Sequence, residues 1–130
     1  MNDAMLTMRC AATGATFSLE RDGPDNWRVT LRGAGLAAEA SVYAYRGETI
    51  AEYCAGLARD WRGFDGVRSW ASLESELEID AASDGVGHLA VTVRLILDPQ
   101  RQWRVEGVLV VEAGDLERLR AEAAAFAPPA

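Results

Sequence analysis

Leu89, Val91, Val93, Leu95 and Leu97 occupy alternate positions between Gly87 and Asp98, and no other stretch of the chain constrains the fold as much. Alternation at period two puts successive side chains on opposite faces of an extended strand, and β-branched residues fit that surface. Such a strand needs neighbours, and the flanking sequence offers one on each side. Upstream, Trp70-Ala-Ser-Leu-Glu-Ser-Glu-Leu-Glu-Ile-Asp-Ala81 alternates as well, with Leu73, Ser75, Leu77, Ile79 and Ala81 on one face and Glu74, Glu76, Glu78 and Asp80 on the other. Leu73 and Leu77 are also four apart, as on a helix, but Ser83-Asp84-Gly85 reads as a hairpin loop and favours the strand. With residues 82 and 86 flanking that loop, Ile79 is expected opposite Leu89, Leu77 opposite Val91 and Leu73 opposite Leu95. The same register puts Asp80 opposite His88, Glu78 opposite Ala90, Glu76 opposite Thr92 and Glu74 opposite Arg94.

Downstream, Asp98-Pro-Gln-Arg-Gln102 is a turn-rich loop and Trp103–Glu112 returns as a strand. Pairing Leu97 with Trp103 sets Val105 against Leu95, Leu109 against Val91 and Val111 against Leu89. The other face then carries Glu106 beside Arg94, Val108 beside Thr92, Val110 beside Ala90 and Glu112 beside His88.

Earlier in the chain, Met5–Cys10 and Ala15–Leu19 read as a hairpin, and Asp22-Gly-Pro-Asp25 as a turn before the alternating Trp27, Val29 and Leu31. Gly33-Ala34-Gly35 turns the chain into Leu36–Tyr45, where small Ala38, Ala40 and Ala44 leave room for a helix beside Leu36 and Val42. Thr49-Ile-Ala-Glu52 has the spacing of a capping box, Ile50, Tyr53 or Cys54, Leu57 and Trp61 follow at helical spacing, and Gly63 sits where a C-terminal cap belongs. Asp115 is placed to cap a last helix with Leu116, Leu119, Ala123 and Phe126 on one stripe. The fold expected is α+β, a largely antiparallel sheet of about seven strands in the order ββββ-α-βββ-α with helices on one face. Length predicts a single domain over residues 1–130, with an ordered core of about 4–126 and a fraying tail at Pro128 and Pro129. Trp27, Trp61 and Trp103 are expected in the core and Tyr43 and Tyr45 at the surface; alternation leaves Trp70 on either the Glu74 face or the approach to the strand.

Thirteen basic against twenty acidic side chains give a formal charge of −7, which disfavours direct binding of nucleic acid or anionic lipid. A basic protein partner, or simple solubility, fits better. One His and two Cys without CxxC spacing do not make a zinc site, so both thiols are read as reduced and structural and neither metal nor cofactor is expected. The N-terminus lacks a basic segment followed by a long apolar run, and no eighteen consecutive residues are apolar, so a cytoplasmic protein with no membrane contact is expected. GxSxG, P-loop, HExxH and GxGxxG spacings are absent.

Two constellations could carry function. The predicted rung of Asp80, His88 and Glu112 would orient an imidazole between carboxylates for acid–base work or make a one-His, two-carboxylate metal site; equally, it would be a hydrogen-bonded trio pinning the end of a sheet. The stripe of Glu74, Glu76 and Glu78 would meet basic residues of a partner, with Val108, Val110 and Ile96 supplying apolar contact, or would be a solvated face. Ala90, Val108, Val110 and Ile96 on that face argue for a cover of some kind.

Trp61-Arg-Gly-Phe-Asp-Gly66, Trp70-Ala-Ser-Leu-Glu-Ser-Glu-Leu77, Asp84-Gly-Val-Gly-His-Leu89, Trp103 and Val111-Glu-Ala-Gly-Asp-Leu116 resemble a family of small, mostly actinobacterial proteins of unknown function. The order of a helix, a strand with Glu-x-x-Leu, a Gly-bearing hairpin and a strand running into an Asp-Leu helix is also similar in outline to the WapI-family immunity proteins of bacterial polymorphic toxins. That resemblance implies an inhibitor that occludes a toxin domain, and it carries over no functional residue. The sequence thus leads to a non-catalytic binding protein, with a self-associating homodimer or a metal-binding protein or enzyme centred on His88 as alternatives.

Overall fold

The computed structural model describes residues 4–44, 49–98, 100 and 102–127. Its strands are β1 (Leu6–Arg9), β2 (Thr16–Arg21), β3 (Asn26–Gly33), β4 (Leu36–Tyr43), β5 (Val67–Ala71), β6 (Leu77–Ser83), β7 (His88–Ile96) and β8 (Arg104–Glu112). Helix α1 (Thr49–Arg59) separates the two sets of four, and α2 (Leu116–Phe126) closes the chain after a 3-10 turn at Ala113–Asp115. The strands pair as two antiparallel sheets, β1-β2-β3-β4 and β5-β6-β7-β8. The class is α+β as expected, but with eight strands in two sheets in place of about seven in one.

The extra strand comes from the run that looked longest. Trp70–Ala81 reverses direction in its middle, where Ser72 N donates to Leu77 O at 2.9 Å, Leu77 N to Ser72 Oγ at 3.2 Å and Ser75 N to Ser72 O at 2.8 Å. Ser75 takes a left-handed φ of 56°, which ends the strand alternation there. Ser72 is buried beneath the turn, whereas Leu73 is 57% exposed. Beyond the reversal Trp70 lies opposite Ile79 and so shares the inward face. Its indole stacks on Trp27 at 6.0 Å and donates through Nε1 to Thr49 Oγ1 at 3.0 Å.

The β6–β7 register also differs from expectation, by four residues. Ile79 pairs with Val93, Leu77 with Leu95 and Ser83 with Leu89. The loop is therefore Asp84–Gly87, where Gly85 (φ 76°) and Gly87 (φ 102°) supply left-handed turns and Asp84 Oδ1 accepts from Val86 N and His88 N at 2.7 and 3.1 Å. An even shift leaves the side chains of Leu77–Ser83 and His88–Leu95 on their expected faces. The β7–β8 register is as predicted, from His88 opposite Glu112 to Leu95 opposite Val105.

Both sheets turn one apolar face into a common core. Leu6, Met8, Phe17, Leu19, Trp27, Val29, Leu31 and Val42 come from the first, and Leu77, Ile79, Ala81, Leu89, Val91, Val93, Leu95, Leu109 and Val111 from the second. The helices add Ile50, Cys54 and Leu57 from α1, its expected stripe without Trp61, and Leu116, Leu119, Ala123 and Phe126 from α2, the stripe its spacing gave. Each fully buried large apolar side chain contributes about 1.5–3 kcal/mol. Phe126 sets its ring 5.0 Å from that of Trp27, tying α2 to the first sheet.

Several local expectations fail at element ends. Trp61 (50% exposed) and Trp103 (71%) lie past the last buried layer and are not core residues. Helix α1 stops at Arg59, and Gly63 is needed instead for a close approach: a Cβ there would come 3.2 Å from Gly85 Cα. Asp115 makes no side-chain cap to α2. Of the small residues on β4, Ala38 packs at the core margin and Ala40 lines a groove. Tyr45 and the expected tail at Pro128 and Pro129 lie outside the described residues.

Sheet edges are covered unequally. On β1, Thr7 N donates to Glu122 Oε1 and Thr7 O accepts from Arg118, both from α2. On β5, whose even-numbered residues face β6 through their backbone groups, Tyr53 OH of α1 donates to Arg68 O at 2.8 Å and leaves the edge-facing groups of Val67, Ser69 and Ala71 without a partner among the described residues. The last part of β8 is closed by the β1–β2 loop, with Ala11 N donating to Val110 O at 2.8 Å and Val110 N directed at Cys10 Sγ at 3.3 Å.

Candidate functional site

On the outer face of the second sheet, strand pairing assembles three rungs. Val67, Ala82, Ala90 and Val110 form the first, Ser69, Asp80, Thr92 and Val108 the second, and Ala71, Glu78, Arg94 and Glu106 the third. The first rung is wholly apolar, and Val67 and Val108 are 63% and 56% exposed. An antiparallel sheet with a solvated face ordinarily alternates to polar residues there, so this strip departs from the pattern.

Arg94 is the centre of the polar rungs. Its Nη1 donates to Asp80 Oδ2 and its Nε to Glu106 Oε1, each at 2.8 Å, while Glu78 Oε1 stands at 3.9 Å. Three carboxylates around one guanidinium leave the cluster net negative. Ser69 Oγ donates to Asp80 Oδ1 at 2.6 Å, and this bond together with Arg94 holds the Asp80 carboxyl below its ordinary range. Arg94 is in turn held further in its charged form by Asp80 and Glu106. Shallow depressions flank the cluster, one lined by Ala82, Asp84, His88, Ala90 and Val110 and the other by Ser69, Trp70, Glu78, Asp80 and Arg94.

The sequence-predicted partner residues separate into two places. Glu78, Val108 and Val110 meet on this face as expected. Glu74 and Glu76 do not, because they sit on the β5–β6 turn; with Glu39, Ser41 and Asp98 they line a second groove of about 770 Å³ beside β4, where Glu76 Oε1 accepts from Tyr43 N at 3.1 Å. Arg94 therefore faces Glu78 rather than Glu74.

The expected rung of Asp80, His88 and Glu112 does not form. Asp80 pairs with Thr92, and His88 keeps Glu112 as its cross-strand neighbour but sets Nδ1 2.9 Å from Asp84 Oδ2. His88 thus belongs to the capping of its own hairpin loop, a role the Asp-Gly-x-Gly spacing signals. Among the described residues no group of three or more His, Cys, Asp or Glu side chains is arranged to hold a metal ion. The residues missed from the sequence are Val67, Ala82 and the central role of Arg94. The last had a signal: it is the one Arg or Lys on the outward parity of β7.

Both cysteines are free and buried. The Cys10 thiol is held down to about 7 by hydrogen bonds from Thr13 and from the Val110 backbone, whereas burial pushes Cys54 up to about 12. No helix among the described residues is long and apolar enough to cross a membrane.

A family model described as a family of unknown function (DUF6228) matches residues 9–130, and the chain belongs to that family. No curated protein and no solved structure matches the chain significantly.

Proposed function

We propose that this member of a family without an assigned activity is a non-catalytic cytoplasmic binding protein that docks a protein partner on the outer face of β5–β8. The observation that carries the reading is the apolar strip of exposed Val67, Ala90 and Val108, continued by half-buried Val110, beside a net-negative cluster. Contacts of this kind divide the work: desolvated apolar side chains at the centre supply affinity, and surrounding charge selects the partner and speeds encounter. Three carboxylates against Arg94 favour a partner with a basic rim, and Glu74 and Glu76 extend the negative field around the neighbouring groove. In the form the immunity-protein resemblance implies, the bound partner is a toxin whose working surface is covered.

The test is a tagged pull-down from the native cytoplasm with wild type and Val108→Asp in parallel. A basic protein held in stoichiometric amount by the wild type alone supports the reading. Equal retention by both variants, with the fold of Val108→Asp intact by circular dichroism, places any partner elsewhere and overturns it.

A further inference from the structure

Strand β8 has an open half. The bonds from Leu97 N to Trp103 O and from Ala113 N to Gly87 O show that odd-numbered residues of β8 face β7 through their backbone groups, so Arg104, Glu106, Val108 and Val110 turn theirs to the edge. Val110 is closed by Cys10 and Ala11; the backbone N–H groups of Glu106 and Val108 have no partner among the described residues. Such a row is a template for another strand.

We infer that the open half of β8 pairs with the same segment of a second copy, antiparallel about a twofold axis at Val105. Backbone geometry restricts the choice, because edge-facing residues must pair with edge-facing residues. Centring on Arg104 opposes two guanidiniums, and centring on Glu106 opposes two carboxylates. Centring on Val105 sets Arg104 opposite Glu106 of the second copy, twice, on the outer face. Glu106 spends Oε1 on Arg94 and keeps Oε2 for the incoming guanidinium. Trp103, otherwise 71% exposed, comes opposite Gly107 of the second copy, beside the Leu31 side chain that already packs against that glycine.

The other open edges lack this fit: β5 presents Val67, Ser69 and Ala71, which carry no charges to pair across a twofold axis. Along β4, Glu39 borders a groove that also holds Glu74, Glu76 and Asp98, which repels a second copy. Pairing at β8 joins two four-stranded sheets into one, with the apolar strips of both copies on the same outer face. The contact is short beside a standard interface of ~1,600 Å², so the dimer dissociates on dilution.

Sedimentation of the purified chain over a dilution series tests this without any partner, so its outcome is independent of the binding reading. Wild type is expected to rise toward twice the chain mass with concentration, and Arg104→Glu and Glu106→Arg each to stay monomeric. Mixed together, those two variants oppose unlike charges at both contacts and are expected to recover the dimer. Should Glu106→Arg not fold beside Arg94, Val108→Pro replaces it: it removes an edge-facing N–H that has no partner among the described residues and is expected to be monomeric. A wild type that is monomeric throughout, a dimer that survives Arg104→Glu or Val108→Pro, or a mixture of folded charge variants that stays monomeric overturns the inference.

Discussion

The two sheets have the same strand count, order and direction of pairing, and each carries an arginine among carboxylates on its outer face, yet the faces differ. On the first, Arg28 stands 3.3–3.6 Å from Glu39, Asp22 and Glu20 with 44% of its side chain exposed, amid Thr7, Ser18, Thr30 and Ser41. On the second, Arg94 closes to 2.8 Å on two carboxylates, is 25% exposed and adjoins an apolar strip. The first face is built for water. The second has drier, tighter polar contacts and leaves valines where the first has hydroxyls, a difference that supports the docking surface proposed above.

Truncating the inward faces should show no such difference. Leu19→Ala and Leu95→Ala, both fully buried, are each expected to cost about 2–5 kcal/mol by chemical denaturation. A small loss in only one would mean that the sheets do not share a core.

The outward arginines should separate the sheets. Arg94→Ala strands Asp80 and Glu106 and is expected to cost about 1–3 kcal/mol, while Arg28→Ala, in an exposed and looser network, stays within about 0.5 kcal/mol. Equal costs in thermal melts would erase the contrast.

Acid sharpens it. The Asp80 carboxyl is held below the ordinary 3.8, so its stabilising contribution is full above that value and is lost as pH falls through the lower folded-state value. Asp80→Asn should therefore be less stable than wild type by about 1 kcal/mol at neutral pH, with the gap closing under strong acid. A gap that persists at acid pH would assign the effect to shape rather than charge.

The smallest effect on stability belongs to Val108→Asp. An exposed site predicts a change within about 0.5 kcal/mol, combined with loss of any retained partner. A large drop in melting temperature would show Val108 to be structural, and the second face would then resemble the first.

Much of the fold was legible where periodicity and chemistry agree. The stripes of α1 and α2, the first two hairpins and the β7–β8 register follow from which residues are apolar and how they are spaced. The site was legible in part: Val108, Val110 and Glu78 share the face that parity gave them. Glu74 and Glu76 were misplaced because a turn of Leu73-Glu-Ser-Glu76 preserves alternation on paper while reversing the chain in space, and Ser75 is not a residue that announces a left-handed φ. Trp103 alternates with its strand but stands beyond the end of the core, which pattern cannot measure.

What the sequence by itself determined is parity: which side chains of each strand face inward, and therefore that Arg94, Glu106, Val108 and Val110 face out together. Only the tertiary structure decided the register of β6 on β7 and the division into two sheets. Side chains repeat every two residues along a strand, so pairings that differ by four residues bury the same face equally well. The choice falls to the Asp84–Gly87 loop and the Ser72 turn, whose hydrogen bonds close at one register.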